Sequence, residues 1–171
     1  GAGVTLATVE AATAEAAAAA ATHAEKAGAA LLLTDLPADA TRAVAAAVKL
    51  PVLNVGNAAD ALREADCRAN LWHLLPSERM RADALAQTLV ARKWSSVLLL
   101  AGASAADAPR SAAAQAAIKR YGLKLVAAKT FKLSADPRER DAANPLLLTG
   151  GGLAYDAVWV IDSEGEFARS L

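Results

Sequence analysis

Leu31-Leu-Leu-Thr34-Asp35-Leu36-Pro37, followed fourteen residues later by Pro51-Val-Leu-Asn-Val-Gly56, decides the fold class. Each is a short, almost wholly apolar run closed by polar, proline or glycine residues, the form of a strand buried on both faces. Between them Ala38–Leu50 is rich in Ala, the best helix former, and Pro37 suits a helix entrance. Strand, helix and strand with short connections make a parallel βαβ unit.

The pattern extends in both directions. Upstream, Val4–Val9 reads as a strand and Ala11–Ala27 as an Ala-rich helix with Gly28 at its carboxyl cap. Downstream, Asn57–Ala65 is a short helix or loop, and Arg68–Leu75 shows no clean period. Ser77 is a suitable N-cap for a helix over Glu78–Lys93, with Met80, Ala84, Leu85, Thr88 and Leu89 on one face. Ser96–Ala101 is a buried strand ending at Gly102, and Asp107–Tyr121 is a helix capped by Gly122. Leu123–Phe131 and Tyr155–Ile161 complete the strands, separated by the charged stretch Asp136–Asp141 and the break Gly150–Gly152. The expected fold is α/β: two lobes, each a parallel sheet with helices on both faces. The boundary is expected at Pro76, giving residues 1–75 and 76–171.

Composition narrows function. The 171 residues contain 48 Ala, and 18 basic residues balance 18 acidic ones, so no net field favours nucleic acid or an anionic membrane. No apolar run reaches the roughly 18 residues of a membrane span, so membrane insertion is not expected. The chain begins Gly1-Ala2-Gly3 without Met, which reads as a processed or excised product. Its end at Glu166–Leu171 reads as a cut shortly after a strand.

Candidate chemistry is sparse. One Cys and two His, without ligand spacing, offer no metal site. His23 is expected on a helix surface, and His73 as a satisfied core or interface residue rather than a base. Cys67 reads as a reduced structural thiol. Trp72, Trp94 and Trp159 are expected in the core or at a lobe interface. Asp136, Glu139 and Asp141, interleaved with Arg138 and Arg140, read as a solvated ion-pair face. The glycines do not form a dinucleotide or P-loop motif; Gly102-Ala-Ser104 could accept a phosphate but lacks a Lys partner. No catalytic residue and no cofactor are assigned.

In open α/β sheets ligands bind beyond the carboxyl ends of the strands. That rule selects Thr34 and Asp35, Gly56 and Asn57, Gly102 to Ser104, and Asp162 to Glu164.

Three stretches together resemble a known family. They are Leu31–Leu36 with Pro51–Gly56; Asn70-Leu-Trp-His-Leu-Leu-Pro-Ser77 leading through Ala82–Ala86 to Trp94–Leu100; and Tyr121–Val126 with Tyr155–Asp162. They are similar to the type I periplasmic solute-binding proteins, the branched-chain amino-acid receptor group of ATP-driven importers. The wording around Cys67–Asn70 and Pro76–Ser77 resembles a subgroup associated with pyrroloquinoline-quinone-dependent alcohol oxidation. The resemblance covers only the middle of that family, which implies either that the remainder is missing from this sequence or that the chain is a reduced descendant that has lost binding. It departs at Ala105–Pro109, where amino-acid receptors carry an aromatic residue and Gly.

The resemblance implies two lobes closing over a small polar ligand. It places Thr34, Asp35, Asn57 and Ala58 on one side and Ser77, Gly102, Asp162 and Glu164 on the other, with an acid at 162 or 164 for a ligand amine. It also implies a periplasmic location and an ABC permease as partner. Two other readings stand beside it: an accessory protein of a periplasmic dehydrogenase, and a small α/β enzyme using Gly102-Ala-Ser104 for a phosphate.

Overall fold

The computed structural model describes residues 3–170. They divide into two compact units, Gly1–Ser77 and Glu78–Leu171.

In the first unit, helix α1 (Ala14–Lys26) begins at Thr13, whose hydroxyl accepts the Ala16 N–H at 3.1 Å. Glu15 in its first turn and Lys26 in its last complement the helix dipole. Gly28, at φ 88°, lets the chain leave the helix in a conformation other residues resist. Strand β1 (Leu32–Thr34), helix α2 (Ala38–Ala47), strand β2 (Val52–Asn54) and strand β3 (Leu71–His73) follow. The strands are parallel in the order β1-β2-β3. Small residues on both helices (Ala17, Ala21, Ala40, Ala45) allow close packing, and Val44, Val52, Leu62 and Leu71 fill the core beneath them.

Side chains alternate across a strand, so the register settles what each face carries. Leu32, Val52 and Leu71 line up under the helices, while Leu33, Leu53 and Trp72 line up on the opposite face. That opposite face is open among the described residues: Leu33 is 52% and Trp72 60% exposed. Helices therefore cover one face of this sheet, not the two expected.

Two sequence expectations change here. Val4–Val9 forms no strand, and Val4 is 97% exposed. Its pattern suits a strand, but a strand exists only by pairing, and β1 pairs with β2 alone. The third strand comes instead from the aperiodic Arg68–Leu75 run. Trp72 on that strand is not a core residue, because its register turns it to the open face.

In the second unit, helix α3 (Glu78–Ala91), strand β4 (Ser96–Ala101), helix α4 (Asp107–Arg120) and strand β5 (Lys124–Thr130) precede two short helices, α5 (Arg140–Ala143) and α6 (Pro145–Thr149). Strand β6 (Ala157–Ile161) completes the sheet. The strands are parallel in the order β5-β4-β6, with β4 central. Both faces of β4 are covered. Val97 and Leu99 pack with α3 and α4, while Leu98 and Leu100 pack with Leu148 of α6, Phe131 and Phe167. Phe131 and Phe167 stack with ring centres 4.0 Å apart, so the ring at 167 is part of this core.

Helix α3 buries Ala82, Ala86 and Leu89, and leaves Met80, Ala84, Leu85 and Thr88 exposed. The expected apolar face is thus rotated outward, because α3 meets α4 through small residues, with Ala114 and Ala117 opposite. Trp159 is buried as expected, whereas Trp94 is exposed beneath the Arg92 guanidinium, 5.3 Å from its ring centre. Cys67 is an exposed free thiol, so it is not a structural core residue. No helix among the described residues is long and apolar enough to cross a membrane.

Candidate functional site

At the carboxyl end of the first sheet, the three strands finish with Thr34, Asn54 and His73 in one cross-strand row. Asn54 is completely buried and organises this end. Its Oδ1 accepts the backbone N–H groups of Asn57 (2.9 Å) and Gly56 (3.3 Å), and its Nδ2 donates to the Asn57 carbonyl (2.7 Å) and to His73 Nδ1 (3.0 Å). The two backbone donors fix which side of the carboxamide is oxygen. His73 Nδ1 is consequently an acceptor and the ring is neutral. Burial lowers the His73 pKa, the Arg63 guanidinium lowers it further, and a hydrogen bond with the Leu62 backbone opposes them without prevailing.

The loops after β1 and β2 are joined at two points. Asn57 Nδ2 donates to the Leu36 carbonyl at 3.2 Å while its Oδ1 accepts the Ala59 N–H at 2.9 Å. The Asp35 carboxylate lies where a Cβ on Gly56 would be, so any larger residue there requires this exposed side chain to turn away. Thr34 is buried, its hydroxyl directed to the Leu53 carbonyl at 3.5 Å, while Asp35 is exposed and Ala58 half-buried. Thr34, Asp35, Asn57 and Ala58 thus belong to one end of one sheet. Of them, Asp35 has the exposed charge, and Asn57 spends its carboxamide on the loops. Arg63, nearby, donates through Nη2 to the Leu75 carbonyl, and its Nη1 is buried without a partner.

The second unit has a corresponding organiser in Asp107, buried at the entrance of α4. One carboxylate oxygen accepts from Ser104 Oγ (2.6 Å) and N (3.3 Å), the other from Ser163 Oγ (2.5 Å) and N (2.9 Å). Ser104 Oγ in turn accepts the Asp107 N–H at 3.1 Å, a reciprocal capping box. Burial works to raise the Asp107 pKa, but hydrogen bonds from Ser104 and Ser163 outweigh it and hold the carboxyl below its ordinary value. Ser163 also accepts from Arg110 Nη1 at 3.1 Å, and the Arg110 guanidinium pairs with Glu78 at 3.4 Å.

This arrangement disposes of the phosphate reading of Gly102-Ala-Ser104. The N–H and hydroxyl donors a phosphate would use at α4 already hold the chain's own carboxylate, and that charge repels another anion. Gly102 is in place at the end of β4, its N–H bonded to the Ile161 carbonyl at 2.9 Å, and Asp107 leaves no room for a Cβ there. Asp162 is occupied as well: its carboxylate accepts the Ala168 N–H (2.9 Å) and the Glu164 N–H (3.2 Å). Burial pushes its pKa up, and backbone donors of its own loop more than compensate, so the net direction is down. Glu164 is exposed, and Ser77 is buried.

Sequence reasoning missed Asn54 and Asp107, and took in Ser163 only as part of the Asp162–Glu164 strand end. The Ser104-x-x-Asp107 spacing was the available signal for Asp107; nothing local marked Asn54, or the link from Ser163 to Asp107, which depend on partners 19 and 56 residues away. His23 is on the helix surface, and the ion-pair stretch forms Asp136–Arg138 (2.6 Å) and Lys132–Glu139 (2.6 Å) bridges, both as expected. A hollow of about 380 Å³ in the second unit is lined by Ser134–Pro137, Arg140 and Ala143–Pro145. Its Asp136 is held by Arg138 and its Asn144 caps α6, so its polar groups largely serve the chain itself. No group of three or more His, Cys, Asp or Glu gathers among the described residues in a way that could hold a metal.

No family model and no curated protein matches the chain. Solved structures do. An ABC transporter substrate-binding protein from Desulfitobacterium hafniense, in complex with Leu, matches 93% of this chain and 47% of its own at 15% identity and a TM-score of 0.65. An ABC-type branched-chain amino acid transporter from Rhodopseudomonas palustris matches 92% and 44% at 15% identity and 0.61. A solute-binding protein of an R. palustris ABC transporter, in complex with benzoate, matches 88% and 42% at 14% identity and 0.57. The chain spans less than half the length of each of these structures. At such identities the likeness is one of fold: an α/β chain with two parallel sheets, in the type I periplasmic binding architecture.

Proposed function

We propose that the chain is a solute-binding module of an ABC importer, working in the periplasm and holding a small polar molecule without covalent chemistry. The observation that carries this reading is the construction of the two strand ends. In each unit one buried polar side chain, Asn54 or Asp107, spends its hydrogen bonds on fixing loops, leaving exposed backbone and a few polar groups to meet a guest. Such preorganised donors and acceptors suffice for binding. A hydrolase or transferase would need a nucleophile beside a base, and His73, the one histidine at either end, is committed to Asn54.

Thr34, Asp35, Asn57 and Ala58 contribute from the first strand ends, and Ser77, Gly102, Asp162 and Glu164 complete the contact set. Within it Asp35 and Glu164 carry the carboxylates that would meet an ammonium, because the Asp162 oxygens already accept from the backbone. The link to quinoprotein alcohol oxidation rests on the residues around Cys67–Asn70 and Pro76–Ser77 alone.

A thermal-shift series with L-leucine, benzoate, short alcohols and aldehydes tests the reading. A ligand at a hundred times its Kd adds about 2.7 kcal/mol to the stability of the folded chain, and D35A or E164A should cut the shift. If none of these compounds raises the Tm, or if one is chemically converted, the reading fails. A second reading, an accessory protein that docks on another polypeptide, is favoured by Trp72, which stands exposed on the sheet.

A further inference from the structure

The charges of the chain cancel in sum but not in place. No acidic residue occurs between Asp83 and Asp107, or between Asp107 and Asp136. Short connections join the end of α3 to the start of β4 and the end of α4 to the start of β5, and those two strands begin side by side, Ser96 against Lys124. Arg92, Lys93, Lys119 and Lys124 therefore gather at one end of the second unit. All four are exposed, and no ion pair engages them among the described residues. The neighbouring Arg120 is spent on Asp83. One acidic residue, Asp156, stands at the same end, its carboxylate accepting from Ser95 N (2.8 Å), Ser96 N (2.9 Å) and Ser96 Oγ (2.8 Å). Asp107, Asp162 and Glu164 lie at the opposite end, beyond the carboxyl ends of the strands.

Helix dipoles account for part of this, since cations suit the negative carboxyl ends of α3 and α4. They do not account for the backbone at Lys93 or for the exposed Trp94. Lys93 takes φ 61°, the one non-glycine residue among those described in the left-handed region. The corresponding turns after α1 and α4 use Gly28 (φ 88°) and Gly122 (φ 68°), which adopt it freely. A lysine there holds a charge at the tip of the turn where glycine would be more stable. Beside it Trp94 is 41% exposed under the Arg92 guanidinium, and Val90, in the last turn of α3, is 47% exposed.

The chemistry of these groups selects the occupant. A lysine ammonium is a hydrated point charge suited to a diffuse field, whereas bidentate pairing with a protein carboxylate calls for the arginine fork. Three of the four free cations are lysines, and the one guanidinium among them is laid on Trp94. An exposed indole beside lysines fits a membrane interface, where the ring sits among headgroups and ammonium groups meet anionic lipid. We propose that the end of the second unit formed by Arg92–Trp94, Lys119 and Lys124 docks reversibly on anionic lipid headgroups, without entering the hydrocarbon. Each cation at such a surface strengthens binding by about fivefold, so four against the one Asp156 give roughly a hundredfold preference for an anionic over a neutral bilayer. The docked unit keeps the carboxyl ends of its strands on the far side, clear of the lipid. The inference is independent of solute binding: Asp35 and Glu164 take no part in it.

The test is flotation of the full chain, carrying W72F so that Trp94 is its one exposed tryptophan, with vesicles of phosphatidylcholine alone or containing one-third phosphatidylglycerol. At low salt the anionic vesicles should bind the chain and shift Trp94 emission to the blue. Neutral vesicles should do neither, and half-molar salt should release the bound chain. K119Q combined with K124Q should weaken binding about 25-fold, whereas R138Q, at the opposite end of the unit, should not. K93G relieves the left-handed backbone and should therefore raise the Tm while weakening binding about fivefold, a pairing that loss of structure does not produce. The proposal is overturned if neutral vesicles bind equally, if binding survives half-molar salt, or if K93G and the K119Q/K124Q pair float as well as the parent. It is also overturned if poly-L-glutamate shifts Trp94 emission as far as the anionic vesicles do, which would make the partner an acidic polypeptide.

Discussion

Asn54 Nδ2 and His73 Nδ1 lie 3.0 Å apart, joining the ends of β2 and β3 through a bond that requires an unprotonated imidazole nitrogen. Replacing Asn54 with Ala strands two loop N–H groups and the ring at once. A loss of about 2–4 kcal/mol of stability is expected from several broken bonds at a buried position, measured by urea unfolding. Unfolding at near-wild-type denaturant would refute the organising role.

The same bond sets a pH dependence. Because the folded-state pKa of His73 lies below its ordinary value of 6.5, the folded chain binds fewer protons there than the unfolded one. The stability this group contributes is therefore complete above pH 6.5 and declines as the pH falls below it, down to the folded-state pKa. H73F should flatten that part of the stability–pH curve. R63M removes the nearby positive charge and should raise the His73 pKa, read from the imidazole C–H resonances in an NMR titration.

Asp107 gives the opposite end of the pH range. Its folded-state pKa is depressed, so its contribution is present above the ordinary carboxyl value and disappears as the pH falls through the folded-state value. D107N puts an amide donor against the donors of Ser104 or Ser163 and should cost about 2–3 kcal/mol. In a cycle with S163A the two losses should fall short of additivity, since both sever one link. Strict additivity would show that the link contributes nothing.

A side chain at position 56 would compete for the space that the Asp35 carboxylate fills. G56A drives a methyl group into the Asp35 carboxylate and should destabilise by about 1–3 kcal/mol. The double variant with D35A should recover most of that loss, although the Asp35 Cα, 3.1 Å from the added carbon, keeps the recovery partial. An equal loss in single and double variants would place the strain in the backbone.

What the sequence made legible follows from range. The helices and the fully apolar strands declare themselves locally, through Ala content, caps such as Gly28, and unbroken runs such as Val97–Leu100. Strand β3 did not, because Arg68–Leu75 has no period and is strand only by pairing with β2; Val4–Val9 has the pattern and lacks the partner. The carboxyl ends of the strands were correctly located as places, since that follows from topology. Which side chains there remain open to a guest could not be read, because Asn57, Asp107 and Asp162 commit their polar atoms through three-dimensional neighbours. The buried face of α3 was misread for a related reason. Helix partners select small residues, whereas periodicity weights large ones.

The stacking of Phe167 on Phe131 carries a practical consequence. Because the ring at 167 plugs the second layer of the sheet, shaving five residues from that terminus would uncork Leu98 and Leu100 to water. Carboxypeptidase digestion of the native chain should therefore stall just short of this aromatic pair, and purification handles belong past it or at the other extremity.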